Sequence, residues 1–151
     1  MYTKKLKFIR DEKEINQSIV ADVIGITRGR YADYEVEYEI MPIKHINTLC
    51  NYFDISIDYL FEFTTIPKYK NSNSNVNSKL SGTRLKELRK EKKLTQDKLS
   101  DLLKVSRSTI TYYELGKNII ATPFLYDICK KYKISADYLL GKIDNPKYLK
   151  W

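Results

Sequence analysis

The chain carries its fold twice. Displacing the sequence by 79 positions aligns Leu6 to Phe63 with Leu85 to Lys142 without a gap, and 17 of the 58 pairs are identical. A duplication constrains the fold more than any single motif, because each copy must build a core of its own or share one with its twin. The matched residues include Gln17 with Gln96, Arg28 with Arg107, Tyr34-Glu35 with Tyr113-Glu114, and Cys50 with Cys129. Ile55-Ser56 also meets Ile134-Ser135, and Asp58-Tyr59-Leu60 meets Asp137-Tyr138-Leu139. The 151 residues therefore divide into a first copy at 1–66, a connector at 67–82, a second copy at 83–142 and a tail at 143–151. The connector is crowded with Asn and Ser between Asn71 and Ser78 and lacks the apolar period of a packed element. It reads as a flexible linker whose ends, as a random coil, would lie roughly 20 Å apart. A unit of about 60 residues buries only about 60% of its unfolded surface, so each copy is expected to gain from docking or dimerising.

Helical stripes fill both copies. In the second, Leu85 and Leu88 share a face, as do Leu99, Leu102 and Leu103, then Ile110 and Tyr113, then Leu125, Ile128, Cys129 and Tyr132, then Tyr138 and Leu139. These separations of three and four are those of buried helix faces, and they predict five short helices per copy. Thr95, Ser106, Thr122 followed by Pro123, and Ser135 stand where helix N-termini need a capping side chain. The expected class is all-α: two tandem five-helix domains.

Several classes of function are disfavoured. The longest apolar runs fall far short of the roughly 18 residues of a membrane span. Met1 to Arg10 has neither the apolar centre nor the small-residue cleavage site of a secretory signal, so a cytoplasmic chain without membrane contact is expected. Two cysteines, Cys50 and Cys129, are too few for a disulfide scaffold and lack metal-ligand spacing, so they read as core thiols and no metal or cofactor is expected. No GxSxG, P-loop or HExxH pattern occurs, and the single histidine, His45, sits beside Ile43 and Ile46. Glu35, Glu37 and Glu39 read as solvated surface rather than as a carboxylate pair in a cleft. The chain is not expected to be an enzyme.

The segment Gln96 to Glu114, QDKLSDLLKVSRSTITYYE, resembles the Xre/Cro-like family of phage-repressor-type helix-turn-helix proteins. Gln17 to Glu35, QSIVADVIGITRGRYADYE, resembles the same motif. The residue types make physical sense: Ala21 and Ser100 are small where two helices cross, Ile26 and Val105 fill the wedge below the turn, and Gly25 suits a turn with positive φ. At the position of Gly25 the second copy has Lys104, which predicts a strained or differently shaped turn. The resemblance implies that the second helix of the motif enters the major groove of double-stranded DNA with its first turn at the base edges. Arg107, whose guanidinium can donate twice to guanine, is the leading base-reading candidate, with Ser108, Thr111 and Tyr112 on the same face. Tyr113 falls in register with Ile110 and reads as core. Gln96 is placed by the resemblance at a phosphate, with Ser106, Thr109, Lys117 and Asn118 as further backbone contacts. Gln17, Arg28 and Arg30 mark the equivalent site of the first copy.

Charge separates the copies. Residues 1–66 hold 8 Lys and Arg against 11 Asp and Glu, net −3, whereas residues 79–151 hold 17 against 8, net +9. The first recognition helix runs into acids and contains Gly29, which weakens a helix by about 1 kcal/mol relative to Ala. The second copy is thus expected to do most of the DNA reading, as a transcriptional repressor occupying an operator. The first is expected to bind DNA weakly or to dock on a protein, on its twin or on the second copy. A homodimer and an internal pseudo-dimer are both open, either of which would present two recognition helices. Tyr148, Leu149 and Trp151 in the tail suggest a strap that caps a core or packs a dimer. The competing reading is a protein-interaction module, an inhibitor, antitoxin-like partner or adaptor, kept open by the acidic first copy.

Overall fold

The computed structural model describes residues 2–150. Among them the chain forms ten helices, five per copy. The first copy contains α1 (Thr3–Glu12), α2 (Gln17–Val23), α3 (Arg28–Glu35), α4 (Ile43–Phe53) and α5 (Ile57–Leu60). The second contains α6 (Ser78–Glu91), α7 (Gln96–Leu103), α8 (Arg107–Glu114), α9 (Thr122–Tyr132) and α10 (Ala136–Leu139). No helix of the described residues is long and apolar enough to cross a membrane.

Local chemistry sets the helix starts. Asn16, Thr27 and Ser56 in the first copy, and Asn77, Thr95, Ser106 and Ser135 in the second, each accept a hydrogen bond from a backbone N–H of the first turn. Thr122 departs from the expected pattern. It lies inside α9, Ala121 takes the cap position, and the Thr122 hydroxyl donates instead to the Met41 carbonyl of the first copy at 2.6 Å.

The turn between α7 and α8 keeps the same backbone shape as its twin. Lys104 sits at φ 57° and Gly25 at φ 69°, so the lysine adopts the left-handed conformation that glycine takes freely. The turn is strained rather than reshaped. Below it, Ala21 and Ser100 are buried, and Ile26 and Val105 pack against the core, as their size and place in the motif suggest.

The connector is shorter and less free than its composition suggests. Ser78 to Gly82 are the first residues of α6, not linker. A Cβ on Gly82 would come within 2.5 Å of the Tyr113 and Glu114 carbonyls, so α6 reaches the end of α8 only because this residue has no side chain. Upstream, the Asn73 N–H donates to the Lys142 carbonyl at 2.8 Å and the Asn77 N–H to Leu140 at 2.9 Å. The Ser74 carbonyl accepts from Asn47 at 3.0 Å and from Asn51 at 2.7 Å. Asn and Ser here serve as hydrogen-bonding side chains and caps across the joint, which a polar composition alone does not distinguish from a free coil.

The two copies share one hydrophobic core rather than standing apart. Phe61 and Phe63 of the first copy pack edge-on or tilted against Tyr126 of the second, with ring centroids 5.4 Å and 5.3 Å away. At the centre of the joint the contacts are reciprocal. Asp58 accepts from the Ala136 N–H at 2.7 Å and from the Ser135 hydroxyl at 2.5 Å, while Asp137 accepts from the N–H groups of Ile57 at 3.1 Å and Asp58 at 2.7 Å. Each copy's aspartate therefore satisfies the first turn of the other's last helix. Equivalent residues exchanging equivalent bonds are the mark of a two-fold relationship, here approximate and within one chain. The second copy, one of the three surfaces on which the first was expected to dock, is in contact with it.

The tail packs back on the second copy. Ser135 N–H donates to the Lys147 carbonyl and Leu149 N–H to the Lys133 carbonyl, both at 2.8 Å, and Leu149 packs against the core. Lys147 and the Tyr148 hydroxyl both reach Glu91, at 2.5 Å and 2.7 Å. This is the core-capping strap expected from the tail, although Trp151 lies outside the described residues.

Candidate nucleic-acid interface

Helix α8 presents one wet face and one buried face. Ile110 is fully buried and Tyr113 is 8% exposed, as their register predicts. Arg107, Ser108 and Tyr112 are exposed and Thr111 is half-buried, so the four expected base readers share the outer side of a short helix. Lys117 and Asn118 are exposed just beyond it, and the Lys117 ammonium stands 5.6 Å from the Tyr112 ring centroid. Ser106 is exposed and Thr109 half-buried. Their hydroxyls lie 2.9 Å apart and Ser106 also accepts the Thr109 N–H, so both already serve the cap of α8.

Gln96 bridges the two helices of the motif. Its amide donates to Glu114 at 3.2 Å, while its oxygen accepts from Arg107 and Thr111, each at 3.4 Å. Arg107 also lies 3.8 Å from Asp97, on a surface where both side chains are well exposed. Such exposed contacts are weak and easily exchanged for a stronger partner. Arg107 is held loosely over the start of α8 rather than locked.

Sequence reasoning missed the pair that fixes the recognition helix. Arg89 on α6 donates to both carboxylate oxygens of Glu114, at 2.7 Å and 3.1 Å, and to the Leu94 carbonyl at 2.9 Å. Both side chains are almost out of water, at 10% and 4% exposure. A bidentate, buried pair of this kind fixes orientation as well as adding energy. The first copy repeats it: Arg10 reaches Glu35 at 2.6 Å and 3.2 Å and the Ile15 carbonyl at 3.0 Å, with Gln17 donating to Glu35 at 2.8 Å. Tyr31, where the second copy has Ile110, adds a hydroxyl at 2.9 Å. The signal was in the repeat, since an Arg and a Glu recur at the same separation in both copies.

Of the acids read as solvated surface, Glu37 and Glu39 are exposed, whereas Glu35 at the end of α3 is drawn into the fold. Burial alone would raise Glu35, but hydrogen bonds from Arg10, Gln17 and Tyr31 hold its carboxyl below the usual range. Glu37 accepts from Thr3 at 2.9 Å, and Glu39 lies 3.4 Å from Arg30. Glu35 thus points into the fold rather than toward a phosphate. Arg28 and Arg30 are exposed on the outer side of α3, at the positions of Arg107 and Thr109, but beside Gly29 and Ala32 where the second copy has Ser108 and Thr111. Beyond α3, Val36, Tyr38 and Ile40 are exposed at 74%, 81% and 64%.

Cys50 and Cys129 are both buried free thiols, pushed up by burial.

Comparison with known proteins agrees with this architecture. The model of a family described as "Helix-turn-helix domain" matches residues 3–63 and again residues 82–145. The chain is 29% identical over 76 residues to YobD of Bacillus subtilis (strain 168), an uncharacterized HTH-type transcriptional regulator, covering 50% of this chain and 68% of that one. It is 36% identical over 62 residues to YqaE of the same organism, another uncharacterized HTH-type transcriptional regulator, covering 41% of this chain and 53% of the relative. A third, the SPbeta prophage-derived uncharacterized HTH-type transcriptional regulator YonR, is 34% identical over 64 residues, covering 42% and 59%. These matches span between about half and about two thirds of the relatives' lengths. No solved structure matches the chain.

Proposed function

The chain belongs to the helix-turn-helix domain family, and from that membership we propose that it is a sequence-specific regulator of transcription, a repressor that occupies double-stranded DNA mainly through its second copy. One observation carries the reading: the outer face of α8 offers Arg107, Ser108, Thr111 and Tyr112 together, in the half of the chain with net charge +9. Arginine there can donate twice to a guanine edge, and hydroxyls and an aromatic edge can meet bases, thymine methyls or sugars. Lys117 and Asn118 flank the helix as backbone clamps, and the surrounding lysines supply the long-range attraction to phosphate. Gln96 contributes by orienting Arg107 and Thr111, with its own phosphate contact requiring release of one of these weak bonds. Repression follows from occupancy, in the cytoplasm where such an operator is accessible.

Selection from a random duplex pool, followed by binding at rising salt, tests the proposal. Enrichment of a defined sequence whose affinity falls steeply with salt is the expected result. Binding that ignores both sequence and salt would overturn it.

A second reading rests on Val36, Tyr38 and Ile40, an exposed apolar strip flanked by acids on the first copy. It fits a protein partner for that copy, and a complex through it would persist at salt concentrations that strip the chain from DNA.

A further inference from the structure

Two contacts mark the approximate two-fold axis that relates the copies. A residue near such an axis touches its own equivalent or a close neighbour of it. Asp58 and Asp137 do so at one point through the N-termini of α5 and α10. Met41 and Thr122 do so at another, since Thr122 is the equivalent of Ile43, two residues from Met41. This second contact lies directly downstream of both recognition helices. Extended chain covers at most about 3.6 Å per residue, so Glu35 to Met41 spans at most about 22 Å and Glu114 to Thr122 at most about 29 Å. Turns shorten both stretches, with Glu37 at φ 62° and Gly116 at φ 74°. The C-terminal ends of α3 and α8 are therefore both tethered to this one contact, at most about 60 Å apart by chain length and closer once the turns are counted. The separation of successive major-groove faces, about 34 Å, falls inside that limit.

We infer that one chain, without a second, reads a two-part operator whose halves differ in sequence, α8 in one half-site and α3 in the next major groove on the same side of the duplex. The inference rests on the DNA-binding reading above and adds its stoichiometry and its ligand. A symmetric pair of identical subunits calls for a palindrome, because each half of the site meets the same side chains. Here the two outer faces differ at equivalent positions. Arg107, Ser108, Thr111 and Tyr112 of α8 are answered on α3 by Arg28, Gly29, Ala32 and Asp33. Only the arginine is common. Gly29 and Ala32 offer no polar atom to a base, and nothing crowds the space around Gly29. Arg30 is exposed and lies 3.4 Å from Glu39, a weak surface pair that its use on DNA would have to exchange. The α3 half-site therefore specifies fewer bases than the α8 half-site, with one guanine under Arg28 as its main demand. The joint between the copies, buried and hydrogen-bonded at both contact points, sets the spacing.

The experiment uses the full chain. Duplexes selected from a random pool should show two unlike half-sites with centres about 10 base pairs apart, and sedimentation with the selected duplex should give one chain per site. Arg28→Ala should weaken binding about ten- to a hundredfold and relax base choice in the weaker half-site only, and Arg107→Ala should do the same in the stronger half-site only. Both arginines are exposed, so neither variant threatens folding. A palindromic consensus bound by two chains would overturn the inference while leaving the regulator reading intact, and so would a single short half-site indifferent to Arg28→Ala. No enriched sequence at all would instead overturn the DNA reading, and this inference with it.

Discussion

Asp58 and Asp137 cap each other's helices: Asp58 accepts the Ala136 N–H that opens α10, and Asp137 accepts the Ile57 and Asp58 N–H groups that open α5. Both are fully buried, and Asp58 also takes hydroxyl hydrogen bonds from Ser135 and from Tyr69, the latter at 2.7 Å. Replacing Asp58 with Ala strands two buried donors, the Ala136 N–H and the Ser135 hydroxyl, and the half-buried Tyr69 hydroxyl. Loss of about 2 to 4 kcal/mol of unfolding free energy is expected, measured by urea denaturation.

The same site predicts a pH dependence. Burial, and then the neighbouring Asp137 carboxylate, push Asp58 well above the usual carboxylate range. The folded chain thus binds a proton that the unfolded chain releases, so this contribution is present on the acid side and is lost as pH rises through the folded value. Thermal stability should increase as pH falls from neutrality to about 5. Glu35, Glu37 and Glu91, held below their ordinary values, act in the opposite direction once pH falls to the ordinary glutamate value of about 4.3, so the Asp58 effect is read between neutrality and about pH 5. Asp58→Asn keeps an acceptor for Ala136 and removes the proton, and should flatten the slope; a slope as steep as that of the parent chain would refute the assignment.

Lys104 holds a conformation that costs a lysine about 1 to 2 kcal/mol. Lys104→Gly should therefore raise stability by about 1 kcal/mol, and Gly25→Lys should lower it by a similar amount. The added cation at 104 is not needed for the turn, so paired melting curves of the two variants test the strain directly.

Breaking the buried Arg89–Glu114 pair should be severe. Glu114→Ala leaves a guanidinium without its partner out of water and is expected to cost about 3 to 5 kcal/mol. Arg89→Met with Glu114→Leu, which removes both charges, should recover much of that loss in a denaturation series. DNA binding by the double variant reports separately on whether the pair also orients α8.

On the DNA itself, Arg107→Ala should cost about 1 to 3 kcal/mol on the preferred site and relax choice at one base position. Lys117→Glu should instead weaken binding to all duplexes alike and reduce the salt slope. Affinity measured on matched and mismatched sites separates the two behaviours.

Much of this was visible in the residues. Apolar spacing placed the helices, Thr95, Ser106 and Ser135 announced their caps, and the register with Ile110 sent Tyr113 inside. What stayed hidden depends on distant partners. An aspartate in the first turn of a helix looks like an aid to its own N-terminus, and nothing local shows that Asp58 and Asp137 serve each other's. The Asn and Ser of the connector have the composition of a coil, and only the position of Asn47, Asn51 and Lys142 turns them into a clasp. Glu35 sits among acids and reads as wet until Arg10 is brought across from α1.

The duplication also alters how this molecule can change. When one gene product pairs with itself, every substitution strikes both arms together, and a new target must be acquired twice in one step. With the arms written separately in a single polypeptide, Arg28 and its neighbours can drift while Arg107 and its neighbours stay put. The Asp58–Asp137 handshake lacks that liberty, because either aspartate alone serves a backbone belonging to the opposite arm.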